Sequence, residues 1–351
     1  MRFHLLGNPN APITEAYYLD GFSQATHRFA DMLTGLGHDV ILYGADRTTA
    51  NCTEFVQTVD AAERRAFVAP FAYQDFPFDP ASELWRISNR RASEAIQKNK
   101  RPGDFLLTIG GYAHKAVFDA HPDLLGVEWS VGYEGSFASH RVFESRVWQH
   151  FIYGRQGIND GRFYDTVIPL FFDTTRIPLI KEPDDYFLYV GRLTPRKGIS
   201  VACQIASEAG VKLKVVGPGD KSLVTGGHEY LGTVSEREKY RLMSTARAVI
   251  CPTLFVEPFN SVAVESQLCG APVICPNFGG FVETVVDGGT GFRCSYLGEF
   301  VRACKSVHRL SRLGIAERAR SEFGVGVASG RYERYFRHVQ NRMGLGWETL
   351  S

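Results

Sequence analysis

Short apolar runs recur along the chain, each closed by glycine or proline and followed by a stretch whose apolar residues return every three or four positions. Such runs predict strands buried on both faces of a parallel sheet, and the longer spacing predicts helices packed on them. Strands are expected at residues 2–6, 40–43, 104–109, 127–131 and 166–172, then at 186–190, 213–216, 248–251 and 272–275. Helices are expected over 22–36, 85–98, 139–150, 236–245, 261–270, 299–312, 315–323 and 331–342. Ser23 is the expected N-cap of the first, and Gly35 and Gly37 end it. The order strand, loop, helix, strand predicts doubly wound α/β sheets, in which ligands bind beyond the carboxyl ends of the strands. Residues 173–185, rich in proline and charge, read as a linker between two such sheets. Among the prolines of 47–92, the aromatic residues Phe71, Tyr73, Phe76, Phe78 and Trp85 read as a packed lid or edge.

Composition narrows the function classes. At 351 residues and 44% hydrophobic content the chain can bury two cores. A net charge of +1 supplies no general attraction to nucleic acid or anionic membranes. The opening residues do not resemble a secretory leader and no apolar run approaches a membrane span, so a soluble, cytoplasmic protein without stable membrane insertion is expected. Seven cysteines without close metal-type pairing read as reduced core thiols.

Chemistry concentrates in residues 248–292. Glu257 stands in a loop before the predicted helix and Glu265 two turns inside it, eight positions later. They can lie up to ~12 Å apart along the axis. That span suits a nucleoside diphosphate sugar. Its pyrophosphate would sit over the free amides of the helix start, with one carboxylate on sugar hydroxyls and the other on ribose hydroxyls. Upstream, Arg192 and Lys197 lie across one turn, where both cations can meet one pyrophosphate.

Glu257-Pro258-Phe259, the gap to Glu265, the turn Cys269-Gly270-Ala271-Pro272-Val273, Gly279-Gly280 with Glu283, and Val190-Gly191-Arg192-Leu193 with Lys197-Gly198 together resemble the signature of glycosyltransferase family 4. These are retaining enzymes of GT-B fold. The opening residues and 139–150 resemble phage and bacterial members, which would place a phage-encoded protein in the host cytoplasm. The resemblance implies two Rossmann-like domains facing across a cleft. An acceptor-binding domain would cover 1–172 and a nucleotide-sugar domain 173–330, with a C-terminal helix and tail, 331–351, crossing back to the first domain.

It also implies a reaction: a hexosyltransferase-like, metal-independent transfer without cofactor, from a UDP-sugar or next a GDP-sugar to an acceptor hydroxyl. Glu257 would hold the sugar ring, Arg192 and Lys197 would neutralise the departing diphosphate, and Glu265 would anchor the ribose. Phe259, Asn260, Ser261, Gly217, Leu231 and Thr233 would line the donor, as would Gly7 and Asn8 after the first strand. The family places glycine where this chain has Asn260, and a histidine where it has Tyr133 and Glu134. His114, Tyr133 and Glu134 are therefore candidates for sugar or acceptor contacts. Two rivals remain open: a nucleotide-sugar epimerase of the same architecture and a non-catalytic nucleotide-sugar binding protein. The acceptor is likewise open between a protein, a modified DNA base, a glycan and a small molecule.

Overall fold

The computed structural model describes residues 1–17, 20–68, 78–180 and 182–341. Phe71, Tyr73 and Phe76 of the expected lid, and Arg342 with the tail beyond it, lie outside the described residues. The chain divides into two compact units, one of Met1–Glu144, Ile152–Pro169 and the chain from Ala328, the other of Ser145–Phe151 and Leu170–Val327.

Unit 1 begins with β1 (Arg2–Leu6), α1 (Gly21–Gly35), β2 (Asp39–Ala45), β3 (Glu54–Val59), α2 (Ala61–Val68) and α3 (Glu83–Asn99). It continues with β4 (Phe105–Thr108), α4 (Lys115–Ala120), β5 (Leu125–Val131), β6 (His140–Phe143), α5 (Arg146–Gln156), whose first turns are grouped with unit 2, and β7 (Thr166–Val167). The strands form one parallel sheet in the order β3-β2-β1-β4-β5-β6-β7. Strand order reverses between β1 and β4, which opens a crevice beyond their carboxyl ends.

Unit 2 holds β8 (Phe187–Val190), α6 (Ile199–Ala209), β9 (Leu213–Val216), β10 (Glu229–Tyr230), α7 (Glu236–Thr245), β11 (Val249–Ile250), α8 (Ser261–Leu268) and β12 (Val273–Pro276). Then come α9 (Phe281–Thr284), β13 (Gly291–Cys294), α10 (Leu297–Ser306), α11 (Arg312–Phe323) and α12 (Val325–Asn341), whose residues from Ala328 belong to unit 1. Its six strands are parallel in the order β10-β9-β8-β11-β12-β13. Each strand supplies both faces alternately. Leu188, Val249, Val273 and Cys275 join one core, while Phe187, Tyr189, Ile250 and Ile274 join the other. This two-sided burial is why the runs were apolar without alternation.

The C-terminal helix packs an aromatic stripe. Phe336 lies 4.8 Å from Phe3 and 5.1 Å from Phe105, and Tyr332 sits 4.9 Å from Phe29, which stacks on Trp129 at 4.0 Å. Each such pair adds about 0.5–1.5 kcal/mol beyond area burial. Six cysteines are buried and free and Cys52 is half-buried and free. No helix of the described residues is long and apolar enough to cross a membrane.

The structure corrects several expectations. The N-cap of α1 is Asp20, whose carboxylate accepts the Phe22 N–H, and Ser23 donates to that same carboxylate. Residues 139–150 do not form one helix. They divide into β6 and the start of α5, and Arg141 is fully buried in the strand. Its guanidinium meets Asp165 at 2.6 Å, Gln156 at 2.8 Å and Ser136 at 3.1 Å. A buried charge with that many acceptors has the periodicity of a surface helix without being one. The strand expected over 166–172 stops at Val167, and Phe172 instead bridges to Gly324. Within 47–92, β3 and α2 went unread, because the exposed outer residues of β3 break the apolar run.

Candidate functional site in unit 2

The loop after β11 delivers Glu257, 5% exposed, to the carboxyl edge of the sheet. One oxygen, Oε1, accepts from Lys197 Nζ at 2.6 Å, Thr253 Oγ1 at 3.1 Å and Asn260 Nδ2 at 3.1 Å. Oε2 carries no hydrogen bond among the described residues. Asn260 is also the N-cap of α8. Its backbone sits at φ 71°, a left-handed conformation that asparagine tolerates, and Oδ1 accepts the Ala263 N–H at 2.9 Å. Asparagine therefore keeps a left-handed turn here and adds a tie to Glu257. The first-turn N–H groups of Ser261 and Val262 are among those a helix leaves without an intrahelical acceptor.

Lys197 and Arg192 come from the loop between β8 and α6. Buried Tyr189, absent from the expected set, donates its hydroxyl to the Arg192 carbonyl at 3.0 Å and approaches the Lys197 carbonyl at 3.4 Å. It thereby sets the spacing of the two cations, and burial pushes its phenol pKa up. Lys197 lies over the Phe255 ring at 4.9 Å and Arg196 at 4.5 Å. The Arg192 guanidinium is exposed and has no partner among the described residues. Burial lifts the neighbouring Cys251 thiol to about 12, which leaves it a neutral wall of the site.

Glu265, on the buried side of α8, repeats the arrangement. Its Oε1 accepts from Lys239 Nζ at 2.7 Å and Tyr240 Oη at 3.1 Å, both from α7, and Oε2 has no partner among the described residues. Lys239 and Tyr240 were missed. A lysine and a tyrosine on a charged amphipathic helix carry no signal until α7 packs on α8.

The remaining expected residues differ in kind. Phe259 is a core residue, edge-on to Phe323 at 5.7 Å, and offers a ligand only its backbone. Gly217, at φ 139°, passes so close to the Gly191 carbonyl that a Cβ would stand 1.9 Å from it. Leu231 is half-buried, hydrogen-bonded through its N–H to Val215, and Thr233 is exposed. Glu283 braces the loop, accepting the Arg146 N–H at 3.0 Å and the Val147 N–H at 2.8 Å, while Ser145 Oγ donates to the Pro258 carbonyl at 2.5 Å.

The unit 1 candidates form a separate set. Gly7 is consumed by packing, since Ile13 Cδ1 occupies the place of a Cβ at 2.3 Å and Tyr43 takes its N–H. His114 is buried beside Trp85, with Nδ1 on Asn89 at 2.9 Å, and burial lowers its pKa to about 3. Glu134 is exposed and paired with Arg155 at 3.0 Å. Tyr133 donates to Glu128 at 3.2 Å, and its hydroxyl also meets the backbone of Gly110 and Gly111. Glu128, read only as part of a strand, is fully buried, accepts the N–H groups of Phe137 and Ala138 at 2.6 and 2.7 Å, and is raised by burial to about 7.

Residues 172–296 match the family Glycosyl transferases group 1. This interval contains Arg192, Lys197, Glu257 and Glu265 and none of the unit 1 candidates. The chain is 31% identical over 123 residues to glycogen synthase of Mycobacterium tuberculosis, a match covering 31% of this chain and 30% of that protein. Over its whole length it resembles solved structures. AviGT4, a glycosyltransferase involved in avilamycin A biosynthesis, superposes with a TM-score of 0.69 at 17% identity, covering 97% of this chain and 98% of that one. Anabaena Alr3699/HepE in complex with UDP and glucose gives 0.68 at 16%, covering 96% and 100%. The fold is GT-B, and residues 172–296 are the part similar to the Glycosyl transferases group 1 family.

Proposed function

We propose that the protein is a retaining glycosyltransferase that moves a sugar from a nucleoside diphosphate sugar, a UDP-sugar first and a GDP-sugar next, to an acceptor hydroxyl. The observation that carries this reading is Glu257, which neutralises Lys197 through one oxygen and keeps the other open at the N-terminus of α8. The open Oε2 accepts a sugar hydroxyl and faces the positive charge that grows at the anomeric carbon as the glycosidic bond breaks. Unpartnered Arg192 and the Lys197 ammonium take up the charge of the departing diphosphate, and the first-turn amides of α8 add backbone donors. Glu265 Oε2 accepts ribose hydroxyls, and the 230–233 edge beside Gly217 faces the base. With no protein nucleophile assigned, the leaving diphosphate takes the acceptor proton.

Melting of the purified chain with UDP, GDP and their sugars tests the reading. A ligand at a hundred times its dissociation constant adds about 2.7 kcal/mol. The expected result is stabilisation by one nucleotide, abolished in Arg192→Ala, and transfer from its sugar to a hydroxyl with the anomeric configuration kept. Release of an altered sugar nucleotide without any acceptor would instead identify an epimerase, and binding without turnover a non-catalytic binder.

A further inference from the structure

We propose that Arg196, laid on Phe255, is a further anion site of unit 2, and that it takes a carboxylate or phosphate monoester carried by a substrate beyond the donor diphosphate. The inference rests on the transferase reading above and adds a substrate class to it: one of the two substrates is anionic outside its diphosphate.

Two loops meet at the carboxyl edge of the unit 2 sheet, 191–198 after β8 and 251–260 after β11. They are clamped at two points. Gly198, at φ 75°, passes so close to the Pro252 carbonyl that a Cβ would stand 2.0 Å from it, and the Leu254 N–H donates to the Arg196 carbonyl at 3.0 Å. Carbonyls 196 and 197 therefore turn to different neighbours. Those of Arg192 and Lys197 meet the buried Tyr189 hydroxyl, whereas that of Arg196 meets exposed Leu254. Arg192 and Lys197 are spaced as a pair from beneath, and Arg196 belongs with the 254–255 segment that leads to Glu257.

The side chain is held as well. The Arg196 guanidinium lies 4.5 Å from the centre of the half-buried Phe255 ring, and Lys197 Nζ lies 4.9 Å from the same centre. The two cations thus stand less than about 10 Å apart. An aromatic ring restrains a guanidinium without using up its fork of N–H donors. Arg196 is exposed and has no carboxylate partner among the described residues.

Residues 190–199 and 251–257 hold three cations, Arg192, Arg196 and Lys197, and one carboxylate, Glu257. Glu257 is taken by Lys197 at 2.6 Å. An ordered, uncompensated guanidinium close to the carboxylate assigned to the sugar selects a group that brings a pair of anionic oxygens. Carboxylates and phosphate monoesters bring that pair, and neutral hydroxyls do not. The same chemistry arises from either of two sources, the transferred sugar or the acceptor.

Isothermal titration of the intact chain separates the sources in two arms. The donor arm compares UDP-glucose with UDP-glucuronic acid and GDP-mannose with GDP-mannuronic acid. The acceptor arm adds methyl glucoside, methyl glucuronide or glucose 6-phosphate to the protein loaded with UDP or GDP. In one arm the anionic ligand is expected to bind about tenfold more tightly than its neutral counterpart. That preference should vanish in Arg196→Gln, survive in part in Arg196→Lys and shrink as salt is raised. Affinity for UDP or GDP itself should be unchanged in both variants. A preference in the donor arm puts the anion on the transferred sugar, and one in the acceptor arm puts it on the acceptor. Equal binding of neutral and anionic ligands in both arms overturns the proposal, as does a preference that persists in Arg196→Gln. Loss of nucleotide affinity in Arg196→Gln also overturns it, by making Arg196 a ligand of the diphosphate. If no nucleotide binds at all, the transferase reading fails and the proposal falls with it; nucleotide binding without an anion preference removes this proposal alone.

Discussion

At the carboxyl edge of unit 2, Glu257 holds a lysine with one oxygen and leaves the other open, whereas at the edge of unit 1, Glu128 has both oxygens occupied, by two backbone amides and a tyrosine hydroxyl. The first carboxylate is paired with a lysine ammonium that can be shared with a ligand. The second is spent on holding backbone, and burial raises its pKa to about 7. The contrast separates a group placed to meet charge from one placed to shape a loop. Arg192 and Arg141 repeat it among the cations: one is exposed and without a partner among the described residues, the other fully buried against Asp165.

The largest expected effect tests the structural half of this contrast. Arg141→Met leaves Asp165 buried and uncompensated, and denaturant unfolding should register a loss of about 3–5 kcal/mol. A loss below about 1 kcal/mol would show that the pair is hydrated in solution.

Glu257→Gln keeps an acceptor for Lys197 but removes the charge that the proposed mechanism sets against the reacting carbon. Steady-state transfer is expected to fall by about 10²–10³-fold while the UDP melting shift persists. Equal turnover in the variant would break the distinction between the two carboxylates.

For Glu128 the sign follows from its raised value. Between the ordinary 4.5 and about 7 the native state keeps a proton that the unfolded chain has released, so stability is full below 4.5 and falls as pH rises through this window. The contribution is roughly 3 kcal/mol, and Glu128→Gln should remove this falling contribution in a series of unfolding curves from pH 4 to 8. His114, lowered to about 3 from 6.5, acts oppositely. Its contribution is full above 6.5 and is lost as pH falls toward 3, so the Gln variant should show a net rise between pH 4 and 6.5.

The smallest effect is at Tyr189. Tyr189→Phe deletes the donor to the Arg192 and Lys197 carbonyls, at about 1 kcal/mol of stability. If Tyr189 only packs, the UDP shift is untouched; if it spaces the cations, the shift shrinks.

Most strands of unit 2 and the acidic pair were legible because their signals are local. Strands buried on both faces are written as apolar runs, and Glu257, Glu265, Arg192 and Lys197 sit in short motifs beside the turns that present them. The carriers of the unit 1 edge were not. Glu128 lies inside an apolar run, and its partners arrive from the following loop. Arg141 imitates a surface helix until Asp165, 24 positions on, meets it inside the core.

The sequence by itself determined the alternation of strand and helix, the apolar settings of most thiols and the residue types of the proposed donor site, since each depends on neighbours within a turn or two. Only the tertiary structure decided which oxygen of each carboxylate is free, that Lys239 and Tyr240 hold Glu265, that Gly7 is packed away under Ile13, and that Arg196 lies on the Phe255 ring. Those outcomes join residues up to 60 positions apart, as Lys197 and Glu257 show at 2.6 Å. Hydrogen-bond valence, unlike hydrophobic period, is settled only when every partner is in place.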